Sequence, residues 1–120
     1  MQLLFFTSDL MFVSQVAALA RERGHRAKTA ASAAGLLALA AEEQADLVII
    51  DLNTPGADPP VLLPQLRALA APPRAIVAFG PHVHEARLAA AAEAGCDEVL
   101  SRGAFNARLP ELLAKYLPPA

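Results

Sequence analysis

With 120 residues, 55% of them hydrophobic, the chain can bury one core but not two, so residues 1–120 are read as a single domain without a separate output domain. The formal net charge is −2 and the Lys and Arg residues are scattered, which leaves no basic stripe for a phosphate backbone; nucleic acid is not expected as a direct partner. A lone cysteine, Cys96, rules out an internal disulfide and fits a reducing compartment, with the cytoplasm as the default.

The chain opens on the apolar run Leu3 to Phe6, which lacks a basic leader and meets Ser8 and Asp9 too early for a signal peptide or membrane span. It reads as a buried first strand. A helix over about Leu10 to Arg23 follows, with Ser8 or Asp9 as N-cap, an apolar set at Phe12, Val16, Leu19 and Ala20, and Gly24 past its end. A weaker strand at Arg26 to Thr29 leads to a Ser32-capped helix over about Ala33 to Glu43, which buries Leu36, Leu37 and Leu39 or Ala40. The run Leu47-Val48-Ile49-Ile50 then ends in Asp51, before a loop through Asn53, Pro55 and Gly56.

A third helix is expected over Pro59 to Ala70, capped by Asp58, with Pro59 at its first position and Pro64 kinking it. Ala75 to Phe79 forms a strand, Gly80-Pro81 a turn, and His84 to Ala94 a helix ended by Gly95. Cys96 is read as a small buried residue entering the fifth strand, Glu98 to Ser101. The last helix is expected over Ala107 to Leu117, with Pro110 tolerated in its first turn and an apolar face of Leu109, Leu112, Leu113, Tyr116 and Leu117.

Five strand-helix repeats imply a parallel sheet, because each right-handed crossover packs its helix back onto a face. The expected fold is therefore α/β: a single flavodoxin-like (βα)5 three-layer sandwich with strand order 2-1-3-4-5. Strand ends then converge on one edge, bringing together Thr7, Ser8 and Asp9, then Asp51, then Gly80 and Arg102. Ligands of open α/β sheets bind at such edges, so Asp51 is placed for chemistry.

The stretch Asp46 to Asp58, with Pro55 four residues after Asp51, resembles the phosphoacceptor strand and loop of response-regulator receiver (CheY-like) domains. Ala91 to Leu100 resembles the same family's passage from the fourth helix into the fifth strand. The resemblance spans nearly the whole chain and implies a two-component signalling role in which Asp51 accepts a phosphoryl group from a histidine kinase with the help of Mg²⁺. It also implies metal contacts from Asp51, from the main-chain carbonyl at Asn53 and from two acidic residues after the first strand.

Departures from that pattern are concentrated in the pocket. The acidic pair aligns with Thr7 and Ser8, so a hard dication loses most of the charge that would retain it. Asp9 stands one residue further on, as a helix cap or as a replacement ligand beside Asp51 and Asn53 if Mg²⁺ binds. The switch hydroxyl aligns with Gly80, the strand-5 aromatic with Val99, the lysine with Arg102 and the proline after it with Gly103. The chain resembles a pseudo-receiver, and Arg102 is expected to pair with Asp51 across the pocket.

Bland alternatives stand beside these. Asp51 is equally readable as a turn acid that accepts backbone hydrogen bonds, and His82 and His84 as solvated loop and cap residues. The leading expectation is a non-enzymatic signalling module acting through protein contacts, with altered or absent phosphoacceptance at Asp51 and no cofactor. Its partners would be a signalling protein or histidine kinase, or a second copy docked through helix 4, strand 5 and helix 5, where Leu88 and Ala91 are expected to be exposed. The alternatives are a working single-domain response regulator phosphorylated at Asp51 with Mg²⁺, and a flavodoxin-like small-ligand binder.

Overall fold

The computed structural model describes residues 1–119. Its elements alternate strictly: β1 (Gln2–Phe6), α1 (Leu10–Glu22), β2 (Arg26–Ala30), α2 (Ala33–Glu42), β3 (Leu47–Asp51), α3 (Pro59–Arg67), β4 (Ile76–Gly80), α4 (Glu85–Glu93), β5 (Glu98–Ser101) and α5 (Arg102–Tyr116). The strands form one parallel sheet in the order β2-β1-β3-β4-β5, the expected flavodoxin-like arrangement. β1, β3 and β4 are buried at every residue, which explains their unbroken apolar runs.

Successive strand residues point to opposite faces, and each face has its own core. Leu3, Phe5, Leu47, Ile49, Val77 and Phe79 meet Phe12, Val16 and Ala20 of α1 and Phe105, Leu109, Leu112 and Leu113 of α5. Leu4, Phe6, Val48, Ile50, Ile76 and Ala78 meet Leu36 and Ala40 of α2, Leu62, Leu63 and Leu66 of α3, and Ala91 of α4. Complete burial of one such Leu, Ile or Phe is worth about 1.5–3 kcal/mol, so both faces contribute substantially to holding the sheet.

Local caps explain the helix starts. Asp9 accepts the amides of Met11 and Phe12 at 3.1 and 3.2 Å, and the Ser32 hydroxyl accepts that of Gly35 at 3.0 Å. Asp58 occupies the N-cap of α3 without a side-chain bond, and the cap is made by its carbonyl, which accepts the Leu62 amide at 2.8 Å. With prolines filling the first two positions of α3, fewer amides there need a partner. His84 likewise caps α4 without a side-chain bond, and its Nδ1 is buried and unpartnered.

Several expectations are corrected. α3 stops at Arg67, not Ala70: the Ala68 amide makes the last helical bond, to the Pro64 carbonyl, and the Leu69 amide then turns to the Leu66 carbonyl at 3.3 Å in a tighter turn. α5 starts at Arg102, five residues before the expected Ala107: the Ser101 hydroxyl accepts the Ala104 amide at 3.1 Å and converts the strand end directly into a helix. Pro110 therefore lies inside α5 and not in its first turn, tolerated because it faces solvent. Ala91 is fully buried and Leu88 half-buried, since α4 turns this row onto the sheet, so neither is the exposed apolar residue expected there. Cys96 is half-buried in the link before β5, and burial pushes its thiol pKa up to about 11.

Candidate functional site at the carboxyl edge of the sheet

Asp51 is the last residue of β3 and is 3% exposed. The chain leaves the sheet immediately after it through two tight turns: the Thr54 amide donates to the Asp51 carbonyl at 3.0 Å, and the Ala57 amide to the Thr54 carbonyl at 3.0 Å. Gly56, at φ +85°, supplies the left-handed backbone the second turn requires. The Asn53 amide donates to Asp51 Oδ1 at 3.0 Å, so the expected turn-acid geometry is present.

The other carboxylate oxygen faces Thr7. The Thr7 hydroxyl donates to Asp51 Oδ2 at 2.7 Å and accepts the Asp9 amide at 3.1 Å, which uses its one proton and one of its two lone pairs. Thr7 is 3% exposed, whereas Ser8 points into solvent and joins no hydrogen bond in the pocket. One buried hydroxyl therefore links the ends of β1 and β3 and the entry to α1.

Arg102 does not pair with Asp51. Its Nη2 donates to Asp9 Oδ2 at 2.7 Å, and its guanidinium lies 4.8 Å from the centroid of the Phe12 ring. The early start of α5 is the cause: Arg102 is the first residue of a helix packed beside α1, so its side chain runs along the α1 entrance. That hydrogen bond, with the one from the Phe12 amide, holds the Asp9 carboxyl below its ordinary value. Asp9 is thus a helix cap and an ion-pair partner together.

Below this polar rim lies an aromatic floor. Phe79 and Phe105 stack at 4.2 Å with planes 13° apart, and Phe12 meets them at 5.2 and 5.5 Å. The spacing of Phe12 marks it only as a core residue, and Phe105 lies outside the helix expected over Ala107 to Leu117; an aromatic three residues after a capping Asp is the available sign of the Arg102 platform.

On the other side of Asp51 the pocket is apolar. Gly80 ends β4, and a Cβ added there would stand 3.3 Å from Leu52 Cβ and 3.7 Å from Leu88 Cδ2. The space beside a side chain at position 80 is therefore filled by two leucines, neither of which the sequence reading placed at the site. Asn53 is exposed and lines a neighbouring cleft of about 470 Å³ with Thr54, Pro55, Asp58 and Arg87.

The donor set does not suit a divalent cation. Mg²⁺ needs several oxygens with free lone pairs in near-octahedral geometry. Each Asp51 oxygen accepts one hydrogen bond, Thr7 turns its proton toward Asp51, and Asp9 is engaged by two amides and Arg102, so no second carboxylate stands free beside Asp51 to hold a dication's charge. Among the described residues no group of three or more His, Cys, Asp or Glu side chains could hold a metal ion.

No protein-family sequence model matches the chain, and a search of curated proteins returns no match. Solved structures do match it. A CheY-like response-regulator receiver domain from Methylobacillus flagellatus is 26% identical with a TM-score of 0.79, over 96% of this chain and 97% of that one. The receiver domain of a sensor histidine kinase from Pseudomonas aeruginosa, solved with magnesium in its active-site cleft, is 18% identical with a TM-score of 0.81, over 97% and 96%. A response regulator from Burkholderia pseudomallei, solved with a phosphorylated aspartic acid and calcium, is 19% identical with a TM-score of 0.77, over 96% of this chain and 65% of that one. With its strand order, alternating helices and near-complete superposition, the chain is built on the CheY-like receiver-domain fold of response regulators.

Proposed function

We propose that this protein is a non-enzymatic, receiver-like signalling module of the two-component type that works in the cytoplasm through protein contacts, without metal-dependent phosphorylation of Asp51. The observation that carries this reading is the 2.7 Å bond from Thr7 to Asp51. In-line phosphoryl transfer to a carboxylate needs an accessible oxygen and positive charge to offset the crowded oxygens. Here the carboxylate is buried, its oxygens are hydrogen-bonded and the Arg102 guanidinium is bound to Asp9.

Partner binding is supported by the rim of the same edge. Leu10 and Met11 at the start of α1 are each 80% exposed, and Val83 before α4 is 70% exposed. Large apolar side chains beside a polar pocket suit a protein partner such as a kinase or an effector. A second copy docked on α4, β5 and α5 has less support, because Ala91 is buried and Glu98 is occupied within the chain by Lys115, Arg108 and Tyr116.

Intact-mass measurement after incubation with Mg²⁺ and acetyl phosphate tests the proposal. An unchanged mass is expected. A stoichiometric phosphate adduct that disappears in Asp51→Ala would establish the alternative, a working response regulator.

A further inference from the structure

Thr7 stands between two groups that would otherwise be unsatisfied. Asp51 Oδ2 is inside a residue 3% exposed, and the Asp9 amide precedes the first turn of α1, where amides have no partner within the helix. A buried carboxylate oxygen left unpaired is costly, and the usual remedy at a cluster of oxygens is a cation. The Thr7 hydroxyl supplies a proton where a cation would supply charge. The chain of contacts continues: Asp9 grips Arg102, Arg102 lies over Phe12, and Phe12 packs on Phe79 and Phe105. Four segments, the ends of β1 and β3 and the starts of α1 and α5, are tied together by these contacts.

We infer that Thr7 is a positioning residue that replaces the cation at this edge, and that it fixes the Asp51 loop and the α1 entrance in one arrangement that neither adding nor removing a divalent metal alters. Resting on the signalling reading for its biological meaning, this names the regulation of the pocket: the edge is assembled permanently, so control comes from the partner's availability and not from metal-dependent phosphorylation. Three features argue the point together. Thr7 is as buried as the carboxylate it serves, its single proton is committed to that carboxylate, and Asp9, the one extra acid in reach by sequence, is held elsewhere by the cap and Arg102.

The test uses amide-resolved NMR of the full chain with Mn²⁺, a paramagnetic stand-in for Mg²⁺, on the wild type, Thr7→Ser, Thr7→Val and Thr7→Asp. In the wild type and Thr7→Ser, the resonances of residues 7–9 and 51–53 should keep their intensity up to about millimolar Mn²⁺, the weak end of protein sites for hard dications. Thr7→Asp places two carboxylates together and should lose those resonances at least tenfold lower in Mn²⁺. Thr7→Val should speed exchange of the Asp9 amide by about tenfold, the loss of one hydrogen bond, and Thr7→Ser should restore it. Should Thr7→Asp fail to fold, the Val and Ser pair still decides the positioning role.

Wild-type broadening confined to residues 7–9 and 51–53 at sub-millimolar Mn²⁺ would overturn the inference, as would unchanged Asp9 exchange in Thr7→Val. Metal binding by the wild type without a phosphate adduct defeats this inference alone, whereas an adduct defeats the proposed function.

Discussion

The two sides of Asp51 have been closed by different physics. Toward β1 and α5 the pocket is polar and paired: Thr7, Asp9 and Arg102 engage one another and the carboxylate through directed bonds of 2.7–3.1 Å. Toward β4 it is apolar and filled: Gly80 has surrendered its side chain, and Leu52 and Leu88 crowd the space one would occupy. Directed bonds depend on single atoms and tolerate little change of chemistry, while a filled volume depends on shape and tolerates little added bulk. Asp51 is therefore bounded by directed polar bonds on one side and by a filled apolar volume on the other.

Removing the floor common to the polar side has the largest expected effect. Phe105→Ala takes a fully buried ring from the cluster it forms with Phe12 and Phe79 and should lower unfolding free energy by about 3–5 kcal/mol in a urea melt. Gly80→Thr attacks the apolar side by overfilling it, with an expected loss of about 1–3 kcal/mol; a stabilised Gly80→Thr would show that the leucines give way and that the switch position is open. Thr7→Val attacks the polar side by leaving Asp51 Oδ2 unpaired, at a cost of about 1–2 kcal/mol. Positions 7 and 80 end strands two places apart in the sheet, roughly 9–10 Å, so the Thr7→Val and Gly80→Thr losses should add to within about 0.5 kcal/mol in the double variant. A larger coupling would mean that the two sides act as one unit.

The smallest effect is on pH dependence. Arg102 depresses the Asp9 pKa in the folded chain, so the pair's contribution is present above the ordinary value of 3.8 and is lost as pH falls through the lower folded value. Thermal melts taken downward from neutral pH should weaken over that acid range, and Asp9→Asn should weaken less steeply. The Asp9 side chain is about a third exposed and its Arg102 partner more so, so the difference is a shift in slope and not a collapse.

Fold and site differed in how far they could be read in advance. β3 was legible because a strand covered on both faces has no reason to carry a polar residue until it leaves the sheet, and Asp51 marks that point. Asp9 as the α1 cap was legible for a similarly local reason. The start of α5 was not: Gly103 and Pro110 argue against helix by propensity, and packing of Phe105, Leu109 and Leu112 on the sheet overrides them. That one boundary decides where Arg102 points, and the expected Asp51 pair failed with it. Filling of the Gly80 site by Leu52 and Leu88 was equally hidden, since it depends on how a loop residue and a helix residue meet over a strand end. Local chemistry was readable; contacts between distant elements required the fold.

The central claim is that a threonine proton, not a cation, satisfies the Asp51 carboxylate. A crystal structure of the protein grown in high Mg²⁺ tests it most directly. The account predicts Thr7 Oγ1 within hydrogen-bonding distance of Asp51 Oδ2, Arg102 on Asp9 and no metal between the strand ends. A Mg²⁺ ion ligated by Asp51 and the Asn53 carbonyl, with the Thr7 hydroxyl turned away from Oδ2, would contradict it.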